Sequence, residues 1–357
     1  MIVTLAEYYV SNYSKCTIDD SFLSSWQGLA YTTHAIQVFG FPMQLITFYL
    51  IINKSPKVMG MIKESLLFSH FWVTWCDVSL CALMTPYYFL PSVAGFNVGL
   101  LSYIGFPVHV QLFMICVSIF AMIIASLALF ETRSSSIQEN MFKIQRKRTR
   151  IAYYSFNFLL QTSVLIPMFS NIPENQELAK LQILESFPCP TREFFTSPTF
   201  VILTDPFWTN YILYFMTPVI CITGVSQVAF FASTCIYYLY VAPTNATSSQ
   251  TRKMQRRWFV GLLLQCSIPL TIFAIPYFVA LAALVINRFT QTMMNSLVIV
   301  FGLHGIAESV SIIIVHKSYR QGFKQMFTRR KISGKNGQKL LRTIERSFRS
   351  FRNRSVF

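Results

Sequence analysis

The chain has 357 residues, 53% of them of hydrophobic types and only 12% charged, with a formal net charge of +16 at pH 7. That balance excludes an ordinary soluble domain. With no H-E-x-x-H, no G-x-S-x-G and no paired catalytic carboxylates, the sequence gives no sign of an enzyme, a metal centre or a cofactor. Its basic residues flank apolar stretches, a pattern that suits an anionic bilayer surface and not nucleic acid.

Crossing the hydrocarbon of a bilayer takes about 20 apolar residues as helix, because every backbone polar group must be bonded within the segment. Seven stretches qualify in chain order: Tyr31 to Ile52, Leu66 to Leu90, Pro107 to Phe130, Ile151 to Phe169, Tyr211 to Tyr238, Trp258 to Ile286 and Met293 to Val315. The expected fold is an all-α, integral membrane seven-transmembrane helix bundle over residues 31–315. An extracellular segment, 1–30, precedes it, and a basic cytoplasmic tail, 316–357, follows. The first 25 residues carry Glu7, Asp19 and Asp20 and no basic start, so the first span is expected to serve as its own insertion signal.

Lys and Arg set orientation. All of the 30 basic residues except Lys15, Lys180, Arg192 and Arg288 fall on one side of the alternating spans, which places that side in the cytoplasm and the amino terminus outside. The outer face is acidic and carries the sequon Asn12-Tyr13-Ser14, a glycosylation candidate at Asn12. Sequons at Asn53, Asn245 and Asn353 lie inside and are expected to stay bare. Of eight cysteines, only Cys16 and Cys189 lie outside the bilayer, on the face where oxidising conditions permit a bridge. Pro188 and Pro190 stiffen the segment around Cys189. A proline-punctuated loop with a free thiol is the alternative.

Charge inside a bilayer costs about 3 kcal/mol or more at its centre, so intramembrane acids need a reason. Asp77 sits midway along the second span, and Glu308 lies four residues after His304, on the same helical face. These three form an expected polar cluster that binds an ion or proton, couples helix movement to ligand, or simply joins helices by hydrogen bonds. His34, His70 and His109 lack metal-ligand spacing and are assigned to packing or a single hydrogen bond. Pro218, Pro269 and Pro276 are expected to kink the fifth and sixth spans. At the inner end of the third span, Glu131-Thr132-Arg133 sets an acid and an arginine at the membrane surface, either as a two-state signalling element or as a solvated ion pair. After the seventh span, Tyr319, Phe323, Met326 and Phe327 recur at helical spacing among Arg320, Lys324, Arg329 and Arg330, the pattern of a short interfacial eighth helix. A second run from Lys339 to Arg352 interleaves Leu340, Leu341, Ile344, Phe348 and Phe351 with basic residues. It either binds anionic lipid or a partner, or is a disordered basic tail.

Seven spans, an outside amino terminus, basic inner loops and the Glu-x-Arg site resemble the rhodopsin-like architecture of G-protein-coupled receptors. More closely, the chain resembles nematode chemoreceptors of the serpentine receptor class H family. The matching residues run from Ser55-Pro56, Met59 and Lys63 through Asp77, then Pro91, Gly95 and Gly99, then Glu131 and Arg133 and Pro188-Cys189. They continue through Gln265, Ile268, Pro269 and Pro276 to His304-Gly305 and His316-Lys317-Ser318-Tyr319-Arg320. Thr132 stands where the family usually has Asn, Ser318 where it usually has Pro, and the seventh span lacks Asn-Pro-x-x-Tyr.

The resemblance implies a receptor in the plasma membrane, in the cilium of a sensory neuron, that detects an environmental small molecule and activates a heterotrimeric G protein. It assigns G-protein coupling to Glu131 and Arg133, with Arg252, Lys253, Arg256 and Arg257. A ligand pocket among the outer halves of the third, fifth, sixth and seventh spans would draw on His109, Gln111, Tyr211, Tyr214 and Tyr277, chosen by depth. The partners implied are the lipid bilayer, the G protein and the ligand; the oligomeric state is not implied. The competing reading is a membrane transporter or ion channel using Asp77, His304 and Glu308 as its relay. No repeat of the inverted transporter kind supports it.

Overall fold

A computed structural model describes residues 4–17, 20–56, 59–205, 207–241, 249–286 and 288–326. The basic run from Lys339 to Arg352, together with Asp19, Phe327, Arg329, Arg330 and the sequons at Asn245 and Asn353, lies outside the described residues. The chain is mostly helical. In chain order come α1 (Leu5–Ser11), α2 (Trp26–Lys54), α3 (Gly60–Val78), α4 (Val108–Ser135), α5 (Lys147–Ser163) and α6 (Gln176–Ser186). Then follow α7 (Ile212–Val241), α8 (Ser249–Val285), α9 (Gln291–Gly302) and α10 (His304–Val315). Among the described residues, five helical stretches are long and apolar enough to cross a membrane: α2, Ile62–Leu83, α4, α7 and Gln291–Val315, while Thr271–Val285 in α8 is a shorter apolar one.

Local chemistry sets the ends. Ser25 caps α2 by accepting from the Gly28 N–H at 3.0 Å, and the helix stops before Ser55-Pro56. Thr290 caps α9 through the Met293 N–H in the same way. Pro107 starts α4, where its missing N–H is harmless. The helix α7 is not a uniform α-helix. Three π-helical turns interrupt it, at Ile212–Met216, Cys221–Val225 and Tyr237–Val241, the first two on either side of Pro218. α8 runs through Pro269 and Pro276 without a break.

Several sequence expectations need correction. The second span does not reach Leu90: helical backbone ends at Leu83, because Thr85-Pro86 turns the chain into a strand. The all-α expectation therefore gives way to a mostly helical fold with one small antiparallel sheet, β1 (Pro86–Tyr88), β2 (Val93–Asn97) and β3 (Phe200–Leu203), in the order β1-β2-β3. Tyr88 is paired with Gly95 and Ala94 with Val201, with an irregularity at Val93/Ala94. The fourth expected span is a 17-residue helix followed by a separate short one, Ile166–Ser170. The seventh stands as one apolar stretch, Gln291–Val315, with a turn at Leu303.

Burial runs opposite to that of a soluble protein. Val38, Phe39, Phe156, Leu159, Ile222 and Ile275 are exposed, while Gln44, His70, Asp77, Gln111, Glu131 and Glu308 are buried. Apolar outward and polar inward is the arrangement a lipid solvent selects. At the end where Cys16 and Cys189 form a disulfide, a large aromatic cluster joins Tyr8, Tyr13, Tyr87, Phe89, Phe96 and Phe194 to Met294 and Val298 of α9. A second cluster around Leu50, Leu66, Leu127, Phe130 and Ile312 closes the opposite end.

Candidate functional site

Between these two apolar ends, α2, α3 and α10 meet around a buried polar group. Gln44 donates from Nε2 to Asp77 Oδ2 at 2.7 Å, and His304 Nδ1 stands 3.7 Å from Asp77 Oδ1. His70 Nδ1 pairs with Glu308 Oε2 at 2.6 Å, and His70 Nε2 lies 3.0 Å from the Gln44 carbonyl. Two carboxylates are thus each matched to one histidine, and Gln44 bridges the two pairs. The approach of α10 depends on Gly305, where a Cβ would lie 1.8 Å from Asp77 Oδ2. Among the described residues no three His, Cys, Asp or Glu side chains converge as a metal would require.

The structure therefore brings Asp77, His304 and Glu308 into one cluster and adds two members the sequence reading missed. His70 is seven residues before Asp77 and on the same helical face, a spacing that marks it in hindsight. Gln44 carries no comparable signal, since a single amide in an apolar helix is silent until its neighbours are known.

At the opposite end, Glu131 and Arg133 do not pair with each other. Two residues apart on a helix, they point to different sides. Glu131 binds Arg150 of α5 at 2.8 Å, and accepts from the Tyr154 hydroxyl at 2.5 Å and the Ser135 hydroxyl at 2.6 Å. Arg133 turns toward α8, where Nη2 donates to the Gln255 carbonyl at 2.6 Å and the guanidinium lies 5.3 Å from the Trp258 ring centre. A cavity of about 30 Å³ opens beside it, lined by Met59, Ile62, Leu66, Leu129, Arg133, Trp258, Leu262 and His316. Burial and the nearby Arg133 charge lower the His316 imidazole to about 4, so it is neutral at ordinary pH. Residues 317–326 form a helix with Tyr319 buried, its hydroxyl 2.7 Å from Ser55 Oγ.

Of the remaining basic candidates, Lys253 and Arg257 are exposed on α8. Arg256 donates to the Leu239 carbonyl at 2.7 Å and lies over Tyr240, tying α8 to α7. The Arg252 side chain is outside the described residues, as are those of Gln265, Ile268 and Pro269.

The five pocket candidates are not brought together as a site. Gln111 donates to the Phe106 carbonyl at 2.7 Å and to Ser102 Oγ, and so pins the loop before α4. Tyr211 donates to the Val164 carbonyl, Tyr277 bonds Thr217 Oγ1, and the His109 ring packs on Phe200. Tyr214 is 73% exposed on the apolar outer surface. Depth in the span does not reveal which way a side chain faces.

Cys16 and Cys189 form a disulfide across a sequence separation of 173 residues, and Asn12 is exposed near it. Tyr8 and Tyr13 donate to the Pro188 and Pro190 carbonyls at 3.0 Å, so the amino-terminal segment is fastened over the loop that carries Cys189. Asn295 of α9 donates to the carbonyls of Leu23, Ser24 and Ser25. Together these contacts roof that end of the bundle. Burial also raises the Tyr13 phenol to about 12.

The sequence model of a family described as "Serpentine type 7TM GPCR chemoreceptor Srh" matches residues 24–329. A relative from Caenorhabditis elegans, "Serpentine receptor class H-72", is 35% identical over 333 residues, covering 92% of this chain and 94% of the relative.

Proposed function

The chain belongs to the Srh family of serpentine chemoreceptors, and from that premise we propose that it detects an environmental small molecule and activates a heterotrimeric G protein. It is a multi-pass membrane protein of the G-protein-coupled receptor type. On this reading α5 and α8 supply two spans beyond the five long apolar ones, completing seven, and residues 317–326 lie in the inner membrane surface as an eighth helix. The amino-terminal segment, with Asn12 and the Cys16–Cys189 bridge, faces outside, and the basic end faces the cytoplasm. The membrane of a sensory cilium is the proposed location.

The observation that carries the coupling role is Arg133. A guanidinium held against α8 by one backbone carbonyl and one aromatic face, beside a cavity at the basic end, is a latch between two helices. Moving the inner end of α8 outward would free Arg133 and widen the cavity for a G-protein segment. Glu131 holds α4 to α5 and keeps that side fixed. The buried cluster of Asp77, His304, Gln44, His70 and Glu308 would relay movement of α10 to α2 and α3. The transporter or channel reading loses support, because apolar clusters flank this polar group at both ends and the family is one of receptors.

The test is nucleotide exchange on G proteins in membranes carrying the receptor, screened against volatile and water-soluble chemicals. A ligand-driven rise that Arg133→Ala removes while surface expression is retained is the expected result. Ion current or solute flux without exchange would refute the reading.

A further inference from the structure

The small sheet at the disulfide end buries polar side chains that the coupling mechanism does not use. In β1, Tyr87 turns toward the amino-terminal segment and donates to the Ser24 carbonyl at 2.7 Å. Its neighbour Tyr88 turns the other way, toward Cys116 of α4. The register partner of Tyr88 is Gly95, where a Cβ would lie 2.2 Å from the Tyr88 ring, so the ring rests on bare backbone. Asn97, two residues along β2, shares that face and is a close neighbour of Tyr88. Thr85 precedes Pro86, the register partner of Asn97, and has a φ of 45°, a strained conformation for a β-branched residue.

All three are more than nine-tenths buried, at 0% exposure for Thr85 and 6% for Tyr88 and Asn97. Yet the Thr85 hydroxyl has no hydrogen-bond partner, and the Tyr88 hydroxyl and the Asn97 amide meet only each other, without a hydrogen bond of normal geometry. Buried polar groups are nearly always bonded, and an unmet one subtracts from stability. Unmet capacity gathered in one layer points to a molecule that supplies the missing partners. Gln111, Tyr211 and Tyr277 are already engaged with the protein itself.

The group contains donors and acceptors but no charge, and burial keeps the Tyr88 phenol protonated. On that face its neighbours are apolar: Cys116 and, one helical turn away, Leu112 of α4, with Phe200, the register partner of Gly95. A charged ligand would lose its hydration there without a counter-charge. We propose that Tyr88, Asn97 and Thr85 recognise a small neutral molecule bearing one carbonyl or hydroxyl group on an apolar skeleton. Tyr88 and the Asn97 amide N–H donate to the ligand oxygen, and Asn97 Oδ1 or Thr85 Oγ1 accepts from a ligand hydroxyl. The proposal rests on the receptor reading above and adds the class of its ligand and the residues that read it.

The test uses purified full-length protein, melted with cyclohexanone, cyclohexanol or cyclohexane, three probes alike in skeleton and different in polar group. The ketone and alcohol are expected to raise the melting temperature of the wild type with saturation, and the hydrocarbon is not. Tyr88→Phe and Asn97→Leu should each raise the half-saturating ketone concentration about tenfold or more. Without probe, Tyr88→Phe should melt no lower than the wild type, because it loses a hydroxyl without a hydrogen bond of normal geometry. No shift with any probe, equal shifts in wild type and variants, or a hydrocarbon shift matching the ketone's would overturn the site. So would a lower melting temperature for unliganded Tyr88→Phe, which would mean that the hydroxyl already has a partner such as bound water. The readout contains no G protein, so its failure leaves the coupling reading standing, whereas saturable binding without nucleotide exchange counts against coupling alone.

Discussion

Gly305 shows how closely the polar core is built. The space a side chain would need is occupied by Asp77 Oδ2 and, 2.5 Å from the same point, by Gln44 Nε2. Gly305→Ala must push α10 away from α3 or break the Gln44–Asp77 bond, and it is expected to cost about 1–3 kcal/mol, measured as a lower melting temperature of the purified protein. His316 makes a second residue-scale test. Its folded value of about 4 lies below the ordinary value of about 6.5, so the stability it lends is present above about pH 6.5 and is lost as pH falls through 4. Thermal melts between about pH 7.5 and pH 4 should show that decline, and His316→Gln should flatten it. The sequence already pointed to Asp77, His304 and Glu308, because acids in apolar helices are conspicuous and helical spacing pairs the last two. It could not show that His70 completes the second pair, because that contact joins helices 238 residues apart in the chain.

At the level of elements, apolar length located the long helices well and their ends less well. The second span overran because the apolar residues from Pro86 to Leu90 read equally well as helix or buried strand, and only pairing with β2 decides between them. The sheet and the roof depend on partners far away in sequence, which no local pattern reveals. Cys16 and Cys189 were legible as the two cysteines outside the spans, while the tyrosines that fasten the same segment were not. The bridge and the Tyr8 and Tyr13 bonds make the roof one unit. Cys16→Ser is expected to lower stability by about 2–4 kcal/mol, read as reduced surface expression and a lower melting temperature. An unchanged melting temperature would show that the tyrosines hold the segment alone.

Across the whole molecule, the polar cluster at mid-depth separates a roofed end, where Tyr88 and Asn97 lie, from a basic end, where Arg133 is latched. A receptor needs such a division, since ligand and partner act at opposite faces and must bias one shared equilibrium. In this account the bias is the position of α8, and the latch of Arg133 on Gln255 and Trp258 holds it inward. The most direct measurement is nucleotide exchange on a G protein, without ligand, by wild type, Trp258→Ala and Arg133→Ala at matched surface expression. Trp258→Ala is expected to raise ligand-independent exchange severalfold, because a weakened latch populates the open state with Arg133 free to meet the G protein, and Arg133→Ala to be silent, because it opens the latch but removes that contact. Wild-type exchange from Arg133→Ala, or no rise from Trp258→Ala in a receptor that still responds to ligand, would contradict this account.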